Sequence, residues 1–251
     1  MKSRYVTFLA IVASLGGFLF GYDTAVISGT INFVVAQYDL DSIMEGWYVS
    51  SALLGCILGV AVAGVLSDWF GRKRILLFTG LLFAVSAIGC MLATSYASLV
   101  IYRLIGGVGV GMASMLSPLY ISEIAPSHKR GSLVALYQFA ITVGILVAYF
   151  TNAYLLHISE TVVMAKDGEL GHKILVDEVW RAMLGSETIP ALLFFILLFF
   201  VPKSPRWLTI KGRSDEALRV LNRMVSEEEA QKEVEEVKQN LKKESGGVSF
   251  I

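Results

Sequence analysis

Residues 47–66, WYVSSALLGCILGVAVAGVL, and residues 75–94, ILLFTGLLFAVSAIGCMLAT, are two uncharged apolar runs separated only by SDWFGRKR at 67–74. A bilayer core about 30 Å thick is crossed by roughly 20 residues of α-helix, so each run is long enough to span it and the charged turn stays in water. Four more runs follow the same pattern: 6–36, 97–121, 131–156 and 182–201. Six membrane-spanning helices are therefore expected.

Composition agrees. The chain is 55% hydrophobic and 17% charged, against about a quarter charged in soluble domains, and its mean hydropathy is +0.64. Twenty-one basic and 21 acidic residues cancel, which leaves no basic excess for nucleic acid. Cys56 and Cys90 each lie inside an apolar run, where a free thiol behaves as a small hydrophobe; no disulfide framework, metal site or cofactor is implied. Lys2 and Arg4 before the first run imitate a signal peptide, but the run is too long and lacks a small-residue cleavage site.

The short loops set the orientation. Arg72, Lys73 and Arg74 follow the second run, Lys129 and Arg130 the fourth, and Lys203, Arg206, Lys211 and Arg213 the sixth. The opposite loops carry Asp39, Asp41 and Glu45, then uncharged residues 94–98, then an acidic-leaning stretch at 157–181. By the positive-inside rule, the N-terminus and residues 202 onward face the cytoplasm.

After the sixth run the composition turns charged, yet Ala217, Leu218, Leu221, Met224 and Val225 share one helical face, and Val234, Val237 and Leu241 share another. Ser226 and Glu229 have capping-box spacing for the second helix. Short amphipathic helices on the cytoplasmic surface are expected; the alternative is a disordered linker. The chain stops at GGVSFI, 246–251, as though leading into a further domain.

Asp23 falls near the middle of the first run. A carboxylate there costs about 2.5–3.5 kcal/mol even on insertion scales, so it should face a cavity or a cation. The alternative is a helix that ends near Ile27, with Asp23 at the interface. Arg103 lies about seven residues from the outer end of the fourth run, roughly 10 Å deep at 1.5 Å per residue; it is either the partner of Asp23 or snorkels to the headgroups. Gly106, Gly107, Gly109 and Gly111 lack the strand and spacing of a phosphate loop and fit close helix packing.

The turn between the second and third runs, Gly64-x-x-x-Asp68-x-x-Gly71-Arg72-Lys73, resembles the loop signature of the major facilitator superfamily. FGYDTAVISG at 20–29, YRLIGGVGVG at 102–111, PLYISEIAP at 118–126 and PKSPRWL at 202–208 together resemble its sugar porter family. The resemblance spans nearly the whole chain. It implies an all-α membrane protein, one six-helix half of a major facilitator fold made of two inverted three-helix repeats. Residues 1–202 would be the transmembrane half, and 203–251 would be cytoplasmic linker helices leading toward a C-terminal six-helix half, in the same or another chain.

The activity implied is proton-linked transport of a monosaccharide. Asp23 would be the coupling site and Arg103 the residue that tunes its protonation. Phe20 would form an aromatic wall, Gln138 would bind sugar hydroxyls through its amide, and Ile141 would line the same site. Without the resemblance, Gln138 would be read as a helix–helix hydrogen bond. Asp68, Arg72, Glu123, Arg130 and Arg206 would form the charged network of the cytoplasmic gate. Two residues depart from the pattern. Lys203 replaces the glutamate of the family's PESPR motif, and Ile145 stands where xylose porters carry a second sugar-binding glutamine.

A sugar receptor of the same fold that does not cycle is the alternative function. A membrane-embedded enzyme would need a nucleophile with a base, or clustered metal ligands, yet His128, His157 and His172 all fall in loops without such spacing. Orientation is open to direct test. A cysteine placed at Ser214 should resist a membrane-impermeant thiol reagent in intact cells and react after permeabilisation; labelling from outside would invert the topology.

Overall fold

The computed structural model describes residues 2–161 and 170–246, and every regular element among them is helical. Six segments are long and apolar enough to cross a membrane: Arg4–Gly29, Ser42–Phe70, Arg72–Leu92, Tyr96–Ile124, Ser127–Thr161 and Val179–Phe200. They contain α1 (Lys2–Val26), α3 (Ser42–Phe70), α4 (Arg72–Leu92), α5 (Tyr96–Ile124), α6 (Arg130–Thr161) and the pair α8 (Val179–Ser186) and α9 (Thr188–Phe200). Outside them lie α2 (Ile31–Tyr38), the single turn α7 (Leu170–His172), α10 (Pro205–Ile210), α11 (Ser214–Leu221) and α12 (Glu227–Gly246).

The first run is not one helix through residue 36. After Val26 it tightens into a 3-10 turn, Ile27–Gly29, and restarts as α2. The Ser28 hydroxyl donates to the Ala25 carbonyl and the Thr30 hydroxyl to the Ile27 carbonyl, side-chain bonds of the kind that compete with the helical ladder. Asn152 of α6 donates to the Val26 carbonyl at 2.9 Å, satisfying the acceptor freed by the break. A Cβ on Gly29 would collide with the Asn152 amide. The sixth run also has a joint, at Glu187. Pro190 has no N–H to give to the carbonyl four residues back, so the ladder cannot run unbroken from α8 into α9.

Two seams dominate the packing: α3 against α5, and α1 against α6. Exchanging the first three spans for the last three converts one seam into the other. Each triplet has an odd number of spans, so the second begins on the opposite side of the membrane, as inverted repeats require. Both seams are parallel and made by glycine. A Cβ on Gly107 would run into the Ala52 carbonyl, on Gly111 into that of Cys56, on Gly21 into that of Ile141, and on Gly144 into that of Phe18. α4 packs on α5, α8 and α9, closing the back of the bundle.

The segment after the sixth span folds onto one end of the bundle. Trp207, Leu208, Ala217, Leu221, Ala230 and Val234 form a small core among α10, α11 and α12. Ser226 and Glu229 make the expected capping box, with the Glu229 amide donating to the Ser226 hydroxyl and the Ser226 amide to the Glu229 carboxylate. Residues 247–251 fall outside the described residues.

The seams give a prediction. Gly107→Val must push α5 away from the α3 backbone, and overpacking of this kind costs about 1–3 kcal/mol. Thermal unfolding of the purified chain in detergent should show a lower midpoint. Gly131→Ala, at a glycine with nothing nearby, should leave it unchanged.

Candidate functional site

Asp23 lies in the last turn of α1, just before the break, and Arg103 two turns into α5. Their side chains meet: Arg103 Nη1 donates to Asp23 Oδ1 at 2.5 Å, with Asp23 4% and Arg103 3% exposed. The outer end of α1 thus comes sooner than a helix through residue 36 would place it. Asp23 is nonetheless buried and paired rather than interfacial, and Arg103 does not snorkel.

A third charged group was passed over in the sequence. Glu187, at the joint between α8 and α9, is 4% exposed and interacts electrostatically with both Asp23 and Arg103. Its Oε1 has no hydrogen-bond partner among the described residues, and neither does Arg103 Nε. Glu187 was visible by the rule that singled out Asp23, since it is the only charged residue in the run 182–201. Two carboxyls face one guanidinium, so the cluster is electrically neutral only when one carboxyl carries a proton. Tyr48 and Cys90 also act electrostatically on Arg103; the Tyr48 hydroxyl shares a 2.6 Å hydrogen bond with Thr30 at the α1 break. Residues from α1, α3, α4, α5 and the α8–α9 joint therefore converge on the pair.

Phe20 and Ile141 are both half-buried and sit at the α1–α6 seam, where Gly21 abuts the Ile141 carbonyl. Gln138, one turn earlier on α6, is exposed. Its amide makes no hydrogen bond to another helix among the described residues.

At the other end, Arg72 donates to Asp68 at 2.8 Å and to Glu123 at 3.1 Å, and to the Ser67 carbonyl at 3.1 Å. Arg206 acts on Glu123 electrostatically without an ion pair among the described residues. Arg130 lines one cavity with Glu123 and Arg206 but makes no ion pair with them among the described residues. It is exposed at the start of α6 and acts on Glu233 of α12 instead; burial raises the carboxyl pKa of Glu233, and Arg130 opposes that rise. The turn before α4 is clamped by α10: Trp207 Nε1 donates to the Asp68 carbonyl at 3.0 Å, and its ring lies 3.1 Å from where a Cβ on Gly71 would be. Gly71 also has φ 90°, a conformation that favours glycine.

Removing one member of a buried pair strands the other, at about 3–5 kcal/mol. Arg103→Ala should therefore lower the unfolding midpoint strongly. The double variant Asp23→Asn, Arg103→Gln removes both charges of the pair and, with Glu187 protonated, strands none, so it should lie closer to the parent. Equal loss in both would mean that the ion pair contributes only packing.

Comparison with known proteins fits this geometry. The family model "Sugar (and other) transporter" matches residues 9–249. The arabinose-proton symporter of Bacillus subtilis (strain 168) is 43% identical over 243 residues, covering 97% of this chain and 50% of that protein. The D-xylose-proton symporter of Escherichia coli (strain K12) is 41% identical over 266 residues, covering 96% and 52%. The solved structure of the proton:xylose symporter XylE bound to 6-bromo-6-deoxy-D-glucose superposes with a TM-score of 0.87 at 39% identity, over 98% of this chain and 56% of that one. The chain thus spans about half the length of the curated relatives it matches. With six spans in this arrangement and a match along nearly its whole length, the chain is a cell-membrane protein that belongs to the sugar transporter family of the major facilitator superfamily.

Proposed function

We propose that this chain is the N-terminal half of a proton-coupled monosaccharide transporter that works by alternating access, with Asp23 as the group that takes up and releases the proton. The observation that carries this is the buried Asp23–Arg103 pair with Glu187 beside it, in a family whose similar members are named as proton symporters of arabinose and xylose. A proton arriving at Asp23 cancels its charge and frees Arg103, which can then turn toward Glu187. Loss of the proton restores the original pair. With Asp23 protonated, Glu187 ionised and Arg103 between them, the loaded cluster is electrically neutral, the form in which buried charges cost least in a low-dielectric core.

The sugar end of the site rests on Gln138, whose amide offers both donors and an acceptor to a neutral polyol, and on the apolar surfaces of Phe20 and Ile141. A second six-helix half would complete the site, because a transporter of this plan binds substrate between its halves. The apolar side chains that α3 and α6 turn outward, such as Leu53, Ile57, Phe139 and Phe150, give such a half, and lipid, a surface to cover. Asp68, Arg72 and Glu123, with Arg206 at longer range, would hold the opposite end closed, and Arg130 would be recruited only in another conformation.

The test uses a complete transporter containing this half. Asp23→Asn keeps size and polarity but cannot release a proton. It should abolish sugar accumulation against a gradient and alkalinisation of the medium, while retaining sugar binding and energy-independent exchange. Accumulation that survives would remove Asp23 from the coupling step.

A further inference from the structure

Lys203 faces a cavity of about 210 Å³ between the start of α4 and the start of α10, lined also by Arg72, Lys73, Arg74, Ser204 and Trp207. No acidic side chain lines it. Arg72 is occupied by Asp68 and Glu123. The Lys73 ammonium gives one hydrogen bond, to the Phe199 carbonyl at 2.8 Å, and has two N–H groups left. Among the described residues neither Arg74 nor Lys203 has a hydrogen-bond or ion-pair partner. The acid that acts on Lys203, Glu216, is already hydrogen-bonded to Arg213. Lys203 and Lys73 repel one another, a repulsion that an anion between them would reverse.

The backbone adds to the positive potential. α4 is 21 residues long, has no side-chain cap and has no acid in its first turn, so the N–H groups of its first turn and the positive end of its dipole are uncompensated. Such an end accepts phosphate. The cavity also sits where the third span, α4, starts and the sixth, α9, ends, with the indole of Trp207 on its wall. Basic pockets between spans suit anionic headgroups.

We propose that this cavity binds the phosphate of an anionic phospholipid, with Lys203, Lys73 and Arg74 as its cationic ligands and the α4 N-terminus as its backbone contact. A bound headgroup joins the 67–74 turn to α10, so the lipid acts on the loop that carries Arg72. The site stands independently of which sugar is carried.

The purified chain in non-ionic detergent is titrated with short-chain phosphatidylglycerol, short-chain phosphatidylcholine and inorganic phosphate, with bound ligand counted by native mass spectrometry. One phosphatidylglycerol should bind saturably, about tenfold more tightly than phosphatidylcholine. Lys203→Glu should weaken it about tenfold and Arg74→Gln about fivefold, with circular dichroism showing both variants folded. Equal binding of the two lipids, or phosphatidylglycerol binding untouched by both substitutions, overturns the proposal. Displacement of the lipid by millimolar inorganic phosphate would keep the anion site and overturn its lipid occupant.

Discussion

Helices in a bilayer gain little from burying apolar side chains against each other, because acyl chains are as apolar as leucine. What holds this bundle is backbone-to-backbone approach along the two parallel seams, where Gly107 and Gly111 meet α3, and Gly21 and Gly144 join α1 and α6. Side chains at those four positions would separate the helices, and everything that depends on their spacing would follow. The α1–α6 seam holds the Gly21 backbone against the Ile141 carbonyl, two residues before Asp23. The α3–α5 seam fixes the height of Arg103, one turn before Gly107. Close packing and the buried ion pair are thus successive links of one chain of causes.

The charged groups sort by depth. Asp23, Arg103 and Glu187 are nearly closed off from solvent and must balance one another within the low-dielectric region. Asp68, Arg72 and Glu123 lie at the end of the bundle, where Asp68 is exposed and Arg72 and Glu123 are buried. Arg181 closes the other end, reaching the carbonyls of Met91 at 3.0 Å and Ala93 at 2.5 Å, so that a guanidinium completes the C-terminus of α4 as a capping cation should. Each end of the third span is therefore tied to the sixth by a cation, Lys73 at one end and Arg181 at the other.

Much of the fold was legible because membrane helices advertise themselves by length and hydropathy alone, and charges inside them stand out. That contrast led to Asp23 and Arg103, and the same contrast applied to Glu187 would have found the third member. The break after Val26 was marked by Ser28, Gly29 and Thr30, but what holds it is Asn152, more than 100 residues away, and no local pattern announces such a partner. The amphipathic helices were visible by periodicity, and the capping box at Ser226 formed as its spacing implies. α10 was not read as a helix, since six residues starting at Pro205 are too few to show a period. Its grip on Gly71 through Trp207 joins segments that only the fold brings together.

The two seams each join a span of the first repeat to a span of the second, and packing within either repeat is sparser. Neither triplet is a finished body. As the chain leaves the ribosome, α1, α3 and α4 enter the bilayer before the surfaces they need have been made, with Gly21, Gly55 and Gly59 facing lipid. Only when α5 and α6 arrive can the first three spans find their places. Asp23 must therefore wait, unpaired, until Arg103 has been synthesised 80 residues later. Though built of two copies of one motif, this half packs as a single interlaced unit, whose first three spans lack their main partners until the fourth and fifth are in place.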